Sequence, residues 1–185
     1  MARRNKHSLD EIKAMVLAAA EDIVVEQGGS ALTVRKIAMR VGYTVGSVYM
    51  VFDNMADVIR HVNVKTLDEI SGLFSDPQQD LRSVAKAYVA YIGDNYHRWR
   101  LFLDTKEEEA RPYGPYQAKL DNLLVLIAEK LPTANSPAQN KLLAQTLWAG
   151  AQGVCSMVSE GDSEKLKQAE DSLKLLVKLL CVELD

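Results

Sequence analysis

The side chains best equipped for chemistry gather in one short stretch. From Leu32 to Val58 the sequence reads LTVRKIAMRVGYTVGSVYMVFDNMADV, with hydroxyls on Thr33, Thr44, Ser47 and Tyr49 and a guanidinium on Arg35. Such groups suit phosphate oxygens, which hold position, and base edges, which select sequence. A Val45 methyl suits the thymine methyl, and the Ser47 hydroxyl suits a base edge. The small residues Thr44, Val45, Gly46 and Ser47 let a helix N-terminus sit deep in a groove, and Val34 and Met50 complete the candidate DNA-facing set. Covalent chemistry has no comparable signal. No GxSxG, P-loop, HExxH or paired His/Cys arrangement is present, so no enzyme and no catalytic residue is expected. His7, His61 and His97 lack ligand spacing, and Cys155 and Cys181 form no CxxC, so neither a metal site nor a cofactor is expected. The cysteines read as small buried hydrophobes.

To hold those groups, the stretch must form two short helices around a tight turn, followed by the start of a third. Ala38 lets the first two approach. Gly42, four residues on, supplies a left-handed turn, and Val48, six further, anchors the second helix to the core. This spacing is that of a helix-turn-helix, whose second helix enters the major groove.

The rest of the chain carries helical period throughout, with no convincing alternation at period two. Ser8-Leu9-Asp10-Glu11 is a capping box opening helix 1, with Ile12, Val16, Ala19 and Ile23 on one face and Gly28-Gly29 at its end. Thr33, Thr44 and Asn54 cap helices 2, 3 and 4. Asp76-Pro77 predicts the start of a fifth helix running to about Asn95. A sixth spans about His97 to Thr105, and Lys106 to Pro115 reads as a surface loop. Helix 7 is expected over Tyr116 to Lys130, helix 8 from the Ser136-Pro137-Ala138-Gln139 cap to about Glu160, and helix 9 from beyond Gly161-Asp162 to about Leu184. The reading is all-α with about nine helices: a three-helix DNA-binding domain over residues 1–62 and a helical ligand-binding and dimerisation domain over 63–185.

At 185 residues, with 48% hydrophobic and 25% charged residues, the chain has ordinary globular composition. No run of 18 apolar residues suggests a membrane span. The basic start MARRNKHSLDE lacks an apolar signal core, so a cytoplasmic location is expected. Net charge is −3, but it is uneven: residues 1–60 hold eight Lys/Arg against seven Asp/Glu, and the remainder fourteen against eighteen. The early cations cluster at Arg3, Arg4 and Lys6 and at Arg35, Lys36 and Arg40. That distribution fits a DNA-binding end on a larger acidic domain.

The first sixty residues resemble the TetR family of bacterial transcriptional regulators. The matching pieces are Ala18-Ala19-Ala20, Glu26-Gln27-Gly28, Leu32-Thr33-Val34, Ile37-Ala38, Val41-Gly42, Gly46-Ser47-Val48-Tyr49 and Phe52 before the Asn54 cap. Trp148-Ala149-Gly150-Ala151-Gln152-Gly153 resembles a signature of one branch of its C-terminal domains, which often has histidine at Gln152. The resemblance implies a homodimer on a palindromic operator, usually repressing until a small molecule releases it. It places Tyr49 at a phosphate and Thr33 and Arg35 near the backbone. Two departures stand out. The family's common lysine near the start of helix 4 is Met55 here, and its aromatic-histidine pair is Met50-Val51.

In the second domain, Leu166, Ala169, Leu173, Leu176, Leu180 and Leu184 line one side of helix 9. Leu175, Val177, Leu179 and Val182 broaden that face, so the helix must be covered on more than one side. Ala149, Gly150 and Gly153 on helix 8 permit close approach, and helices 8 and 9 together suggest a four-helix interface between two protomers. Tyr88, Tyr91, Trp99, Phe102, Tyr116, Trp148, Gln152 and Cys155 are the candidate lining of an apolar effector site. The expected function is a DNA-binding regulator, a repressor released by a small hydrophobic effector. The competing expectation is a DNA-binding adaptor whose second domain binds a protein.

Overall fold

Helix caps and apolar periodicity account for the architecture seen in the computed structural model. It describes residues 7–105, 114–132 and 135–181, and among these all regular structure is helical. Helix α1 (Leu9–Gln27) begins at the Ser8 capping box. Glu11 N–H donates to Ser8 Oγ at 3.2 Å, and Ser8 N–H donates to the Glu11 carboxylate at 2.7 Å. It buries Ile12, Val16, Ala19, Ala20, Ile23 and Val24. After a 3-10 turn at Gly29–Ala31 come α2 (Val34–Val41), α3 (Val45–Val48) and α4 (Met55–Gly72). Asn54 Oδ1 caps α4 by accepting from Asp57 N–H at 2.9 Å. Further on lie α5 (Leu81–Asp94), α6 (Tyr96–Asp104), α7 (Gly114–Glu129), α8 (Pro137–Cys155) and α9 (Ser163–Cys181).

The chain divides into two compact units, and the division falls inside α4. One unit holds the described residues up to Thr66 and those from His97 to Tyr116. The other holds Leu67–Tyr96 and the described residues from Gln117 onward. The first unit's core is built from α1, α2, α3 and the first half of α4, with Ile12, Val16, Ile23, Ile37, Val48, Phe52, Val58 and Val62 buried together. Most of α6 belongs here as well. His97 Nδ1 lies 3.2 Å from the Val24 carbonyl oxygen, and Asn63 donates to Thr105 Oγ1 at 2.7 Å. In the second unit α9 packs on both α5 and α8.

Three boundaries differ from the sequence expectation. The fifth helix starts at Leu81, not at Asp76-Pro77. Asp76 instead closes a turn, its carboxylate accepting from Gln78 N–H at 2.9 Å, and Asp80 provides the cap by accepting from Ser83 N–H at 2.8 Å. The reason is burial. Residues 77–80 offer nothing apolar, whereas Leu81, Val84, Ala85, Tyr88, Val89 and Ile92 form a buried stripe. Helix α7 begins at Gly114, with Pro115 in the first turn, where a missing N–H costs no hydrogen bond. Helix α8 ends at Cys155, because the Ser156 hydroxyl donates to the Gly153 carbonyl at 2.6 Å and Val158 N–H to the Cys155 carbonyl at 2.9 Å. Helix α9 is seen through Cys181, so the expected end near Leu184 lies outside the described residues, as do Tyr113 and most of the expected loop from Lys106.

Candidate functional site: a helix-turn-helix and an apolar cavity

The turn between α2 and α3 follows from two local choices. Gly42 sits at φ 72°, ψ 28°, where a Cβ is disfavoured, and Tyr43 N–H donates to the Ala38 carbonyl at 2.9 Å. Thr44 then caps α3, its Oγ1 accepting from Ser47 N–H at 3.2 Å and lying 3.0 Å from Ser47 Oγ. Thr33 caps α2 in the same way, accepting from Lys36 N–H at 3.3 Å. Helix α3 proper is a single turn, but its hydrogen bonding continues from Tyr49 to Val45 and from Met50 to Gly46. Val48 is fully buried and anchors this turn, while Tyr49 and Met50 are 44% and 59% exposed.

All nine candidate DNA-facing residues lie in the first unit, at the start of α2 or along α3. Thr33, Arg35, Thr44, Gly46, Tyr49 and Met50 are exposed. Val34 and Val45 are half-buried against the core, and Ser47 is half-buried with its hydroxyl beside Thr44. Arg3, Arg4 and Lys6 lie outside the described residues, but His7 Nδ1 sits 2.7 Å from the Tyr43 hydroxyl. The two departures at Val51 and Met55 have a packing explanation: both side chains rest against the core of this unit. Phe52 is buried beside them, edge-on to His61 at 5.1 Å, with the Lys13 ammonium 5.4 Å from its ring centroid.

Charge on α2 is partly spent within the protein. Arg40 makes a two-pronged pair with Glu26 at 2.8 and 2.5 Å and approaches Asp22 at 3.4 Å. The Arg40 hydrogen bonds hold the Glu26 carboxyl below its ordinary range, and Glu26 in turn raises the guanidinium. Lys36 Nζ donates to Gln27 Oε1 at 2.8 Å. Glu26 and Gln27 near the end of α1 therefore position α2 cations, a role that sequence inspection did not assign to them.

The second unit holds a small apolar pocket of about 50 Å³, partly open to solvent. Leu81, Val84, Ala85 and Tyr88 of α5 line it with Leu147, Trp148 and Ala151 of α8 and Leu173, Leu176 and Val177 of α9. Phe74 and Ile127 complete the lining, and no lining residue is charged. Gly150 lets α8 and α9 meet, since a Cβ there would stand 2.7 Å from Leu176 Cδ2. Of the eight candidate effector residues, only Tyr88 and Trp148 line this space, with ring centroids 5.9 Å apart. Tyr91 does not; its hydroxyl donates to Glu69 at 3.0 Å. Gln152 is half-buried and Cys155 buried on α8, both outside the lining, and burial pushes the Cys155 thiol up to about 12. Trp99, Phe102 and Tyr116 belong to the first unit, where Trp99 is fully buried and the Phe102 and Tyr116 rings stand 6.5 Å apart. The aliphatic lining was legible only as core periodicity.

A single-turn α3 anchored by Val48, set after a left-handed Gly42 turn on a three-helix core, defines a helix-turn-helix DNA-binding domain. Residues 16–62 match the family of bacterial regulatory proteins called the tetR family. Solved structures of regulators share the fold over nearly the whole chain. A TetR transcriptional regulator from Rhodococcus sp. RHA1 is 18% identical, with 95% of this chain and 98% of that one covered and a TM-score of 0.69. A transcriptional regulator from Aquifex aeolicus VF5 is 16% identical over 91% and 99%, with a TM-score of 0.63. The multidrug binding protein EbrR, solved with ethidium, is 19% identical over 90% and 98%, with a TM-score of 0.64. No curated protein matches the sequence. Among the described residues no helix is long and apolar enough to cross a membrane, and no group of His, Cys, Asp or Glu is arranged to hold a metal ion.

Proposed function

We propose that this protein is a homodimeric transcriptional repressor of the cytoplasm that binds a palindromic operator and is released by a small, uncharged hydrophobic effector. The observation that carries the DNA half is the Gly42 turn presenting an exposed α3 inside the family-matching segment. Thr33, Val34, Arg35, Thr44, Val45, Gly46, Ser47, Tyr49 and Met50 form the DNA-contacting set. The domain reading remains residues 1–62 for DNA and 63–185 for effector and dimer contacts. The dimer uses α8 and α9. Leu142, Ala149, Gly153 and Met157 leave an exposed apolar and small-residue row along α8 and just past its end, and Leu175 and Leu179 of α9 are 55% and 62% exposed. No catalytic role is assigned to any residue.

The cavity supports the effector half. EbrR binds ethidium, a cation, whereas the lining here holds no carboxylate to receive one. The space is small, about 50 Å³, and the proposed effector deepens it by moving α5, α8 and α9 apart. A ligand that binds only an expanded unit shifts the protein toward that state, and α4, whose chain begins in one unit and ends in the other, is the proposed transmitter. The small cavity is also the observation that favours the adaptor reading, in which the second unit binds a protein instead. Titrating the DNA complex with a panel of neutral hydrophobic compounds, with ethidium in parallel, separates the two. Release by neutral compounds alone supports the effector; release by none favours the adaptor.

A further inference from the structure

Sequence discrimination by α3 has to work with almost no hydrogen-bonding side chains. Between Arg40 and Asp53 no residue carries a charged, amide or imidazole group. The arginine–guanine and asparagine– or glutamine–adenine pairs that dominate major-groove recognition are therefore unavailable to this segment. The two hydroxyls at the front of α3 are partly engaged with each other and with the cap. Thr44 Oγ1 accepts from Ser47 N–H and faces Ser47 Oγ at 3.0 Å. Two of the three cations of α2 are drawn toward α1, Arg40 by Glu26 and Asp22 and Lys36 by Gln27, while Arg35 is exposed at the start of α2, where it suits a phosphate. What the α3 segment does offer is chiefly apolar: Val45, half-buried at its first position, and Met50, 59% exposed just past its C-terminal end.

We infer that Val45 and Met50 set operator specificity by packing on thymine 5-methyl groups, so that the protein reads methyls where other readers use hydrogen bonds. The inference rests on the DNA-binding reading above. The thymine methyl is the one apolar feature that a base pair presents in the major groove, and it is the feature an aliphatic side chain can distinguish. Met50 also gains from the contact, because an unbranched thioether adapts to a methyl at low steric cost. The preferred half-sites are accordingly placed around thymine–adenine pairs, with guanine and cytosine unread by α3.

Replacing thymine by uracil deletes that methyl and leaves phosphates and base-pairing edges unchanged. A random-sequence duplex library made with thymine is selected on the full-length protein, and the enriched duplexes are remade with uracil. Binding is expected to weaken about fourfold for each contacted methyl, so about 250-fold for a dimer in which Val45 and Met50 each contact one methyl per half-site. The salt dependence stays the same, because the phosphate contacts are untouched. Met50→Ala, at an exposed position, is expected to bind the thymine duplex more weakly and to lose part of the thymine-to-uracil ratio; Val45→Ala loses the remainder. Enriched duplexes that bind equally well with uracil overturn the inference alone, as does a ratio that both variants retain in full. Enrichment of no sequence overturns it together with the DNA-binding reading.

Discussion

Gly42 offers a quantitative test of the turn on which the DNA-reading element depends. It adopts φ 72°, and a Cβ added there would meet nothing within 4 Å, so substitution introduces backbone strain without a steric clash. An L-residue in the left-handed region costs about 1–2 kcal/mol. Replacing glycine also narrows the unfolded ensemble, which returns roughly 0.4–1 kcal/mol. Gly42→Ala should therefore destabilise the first unit by about 1 kcal/mol net. Gly42→Asn should cost less, because its short polar side chain tolerates this conformation. Gly42→Val should cost the most, because a β-branched residue is a poor occupant of the left-handed region. The assay is denaturant unfolding of the three variants beside wild type, read as a change in midpoint at constant slope. If alanine and asparagine match wild type, the turn is not held at positive φ. If alanine costs well over about 3 kcal/mol, the open space around the glycine is not real and the strain argument fails.

Three further outcomes follow from the same geometry. Tyr49→Phe should weaken binding to every duplex about fivefold, from the loss of one hydroxyl contact of about 1 kcal/mol, with the salt slope unchanged because a neutral group releases no counterion; a sequence-selective loss in a competition assay would move Tyr49 from phosphate to base. The Glu26 carboxyl is held low by Arg40, so its contribution to stability is present above the ordinary carboxylate range and is lost as pH falls through its folded-state value. Wild type and Glu26→Gln should accordingly differ in unfolding midpoint at neutral pH and converge in acid, and a constant gap across that range would show that the pair does not titrate as described. Leu175→Glu with Leu179→Glu puts charge on two exposed α9 positions and should yield a folded monomer by sedimentation; a dimer that survives both changes would place the interface elsewhere.

Features that depend on neighbouring residues were the ones readable from sequence. The caps at Ser8, Thr33, Thr44, Asn54 and Ser136 all form as their spacing predicts, because each is a contact between a side chain and an amide three residues on. Gly42 was legible for the same reason. Asp76-Pro77 carries an equally good local pattern and does not start a helix, because helix initiation also needs an apolar stripe to bury, and that stripe opens at Leu81. The cavity shows the same division. Its walls come from positions on α5, α8 and α9 that are far apart in sequence, and each wall residue taken alone looks like ordinary core. Trp99 and Phe102 resemble pocket residues by type, but the chain path of α6 carries them into the first unit. The spending of Arg40 on Glu26, fourteen residues away, was likewise invisible until α1 and α2 were folded together.

The central claim is that α2 and α3 form a specific, paired DNA reader. The most direct test is binding to DNA from the neighbourhood of the protein's own gene, titrated with salt and with non-specific competitor and followed by footprinting. The account predicts tight, competitor-resistant binding with two protected half-sites about one helical turn apart. Binding that competitor removes entirely, with no protected pair, would contradict it.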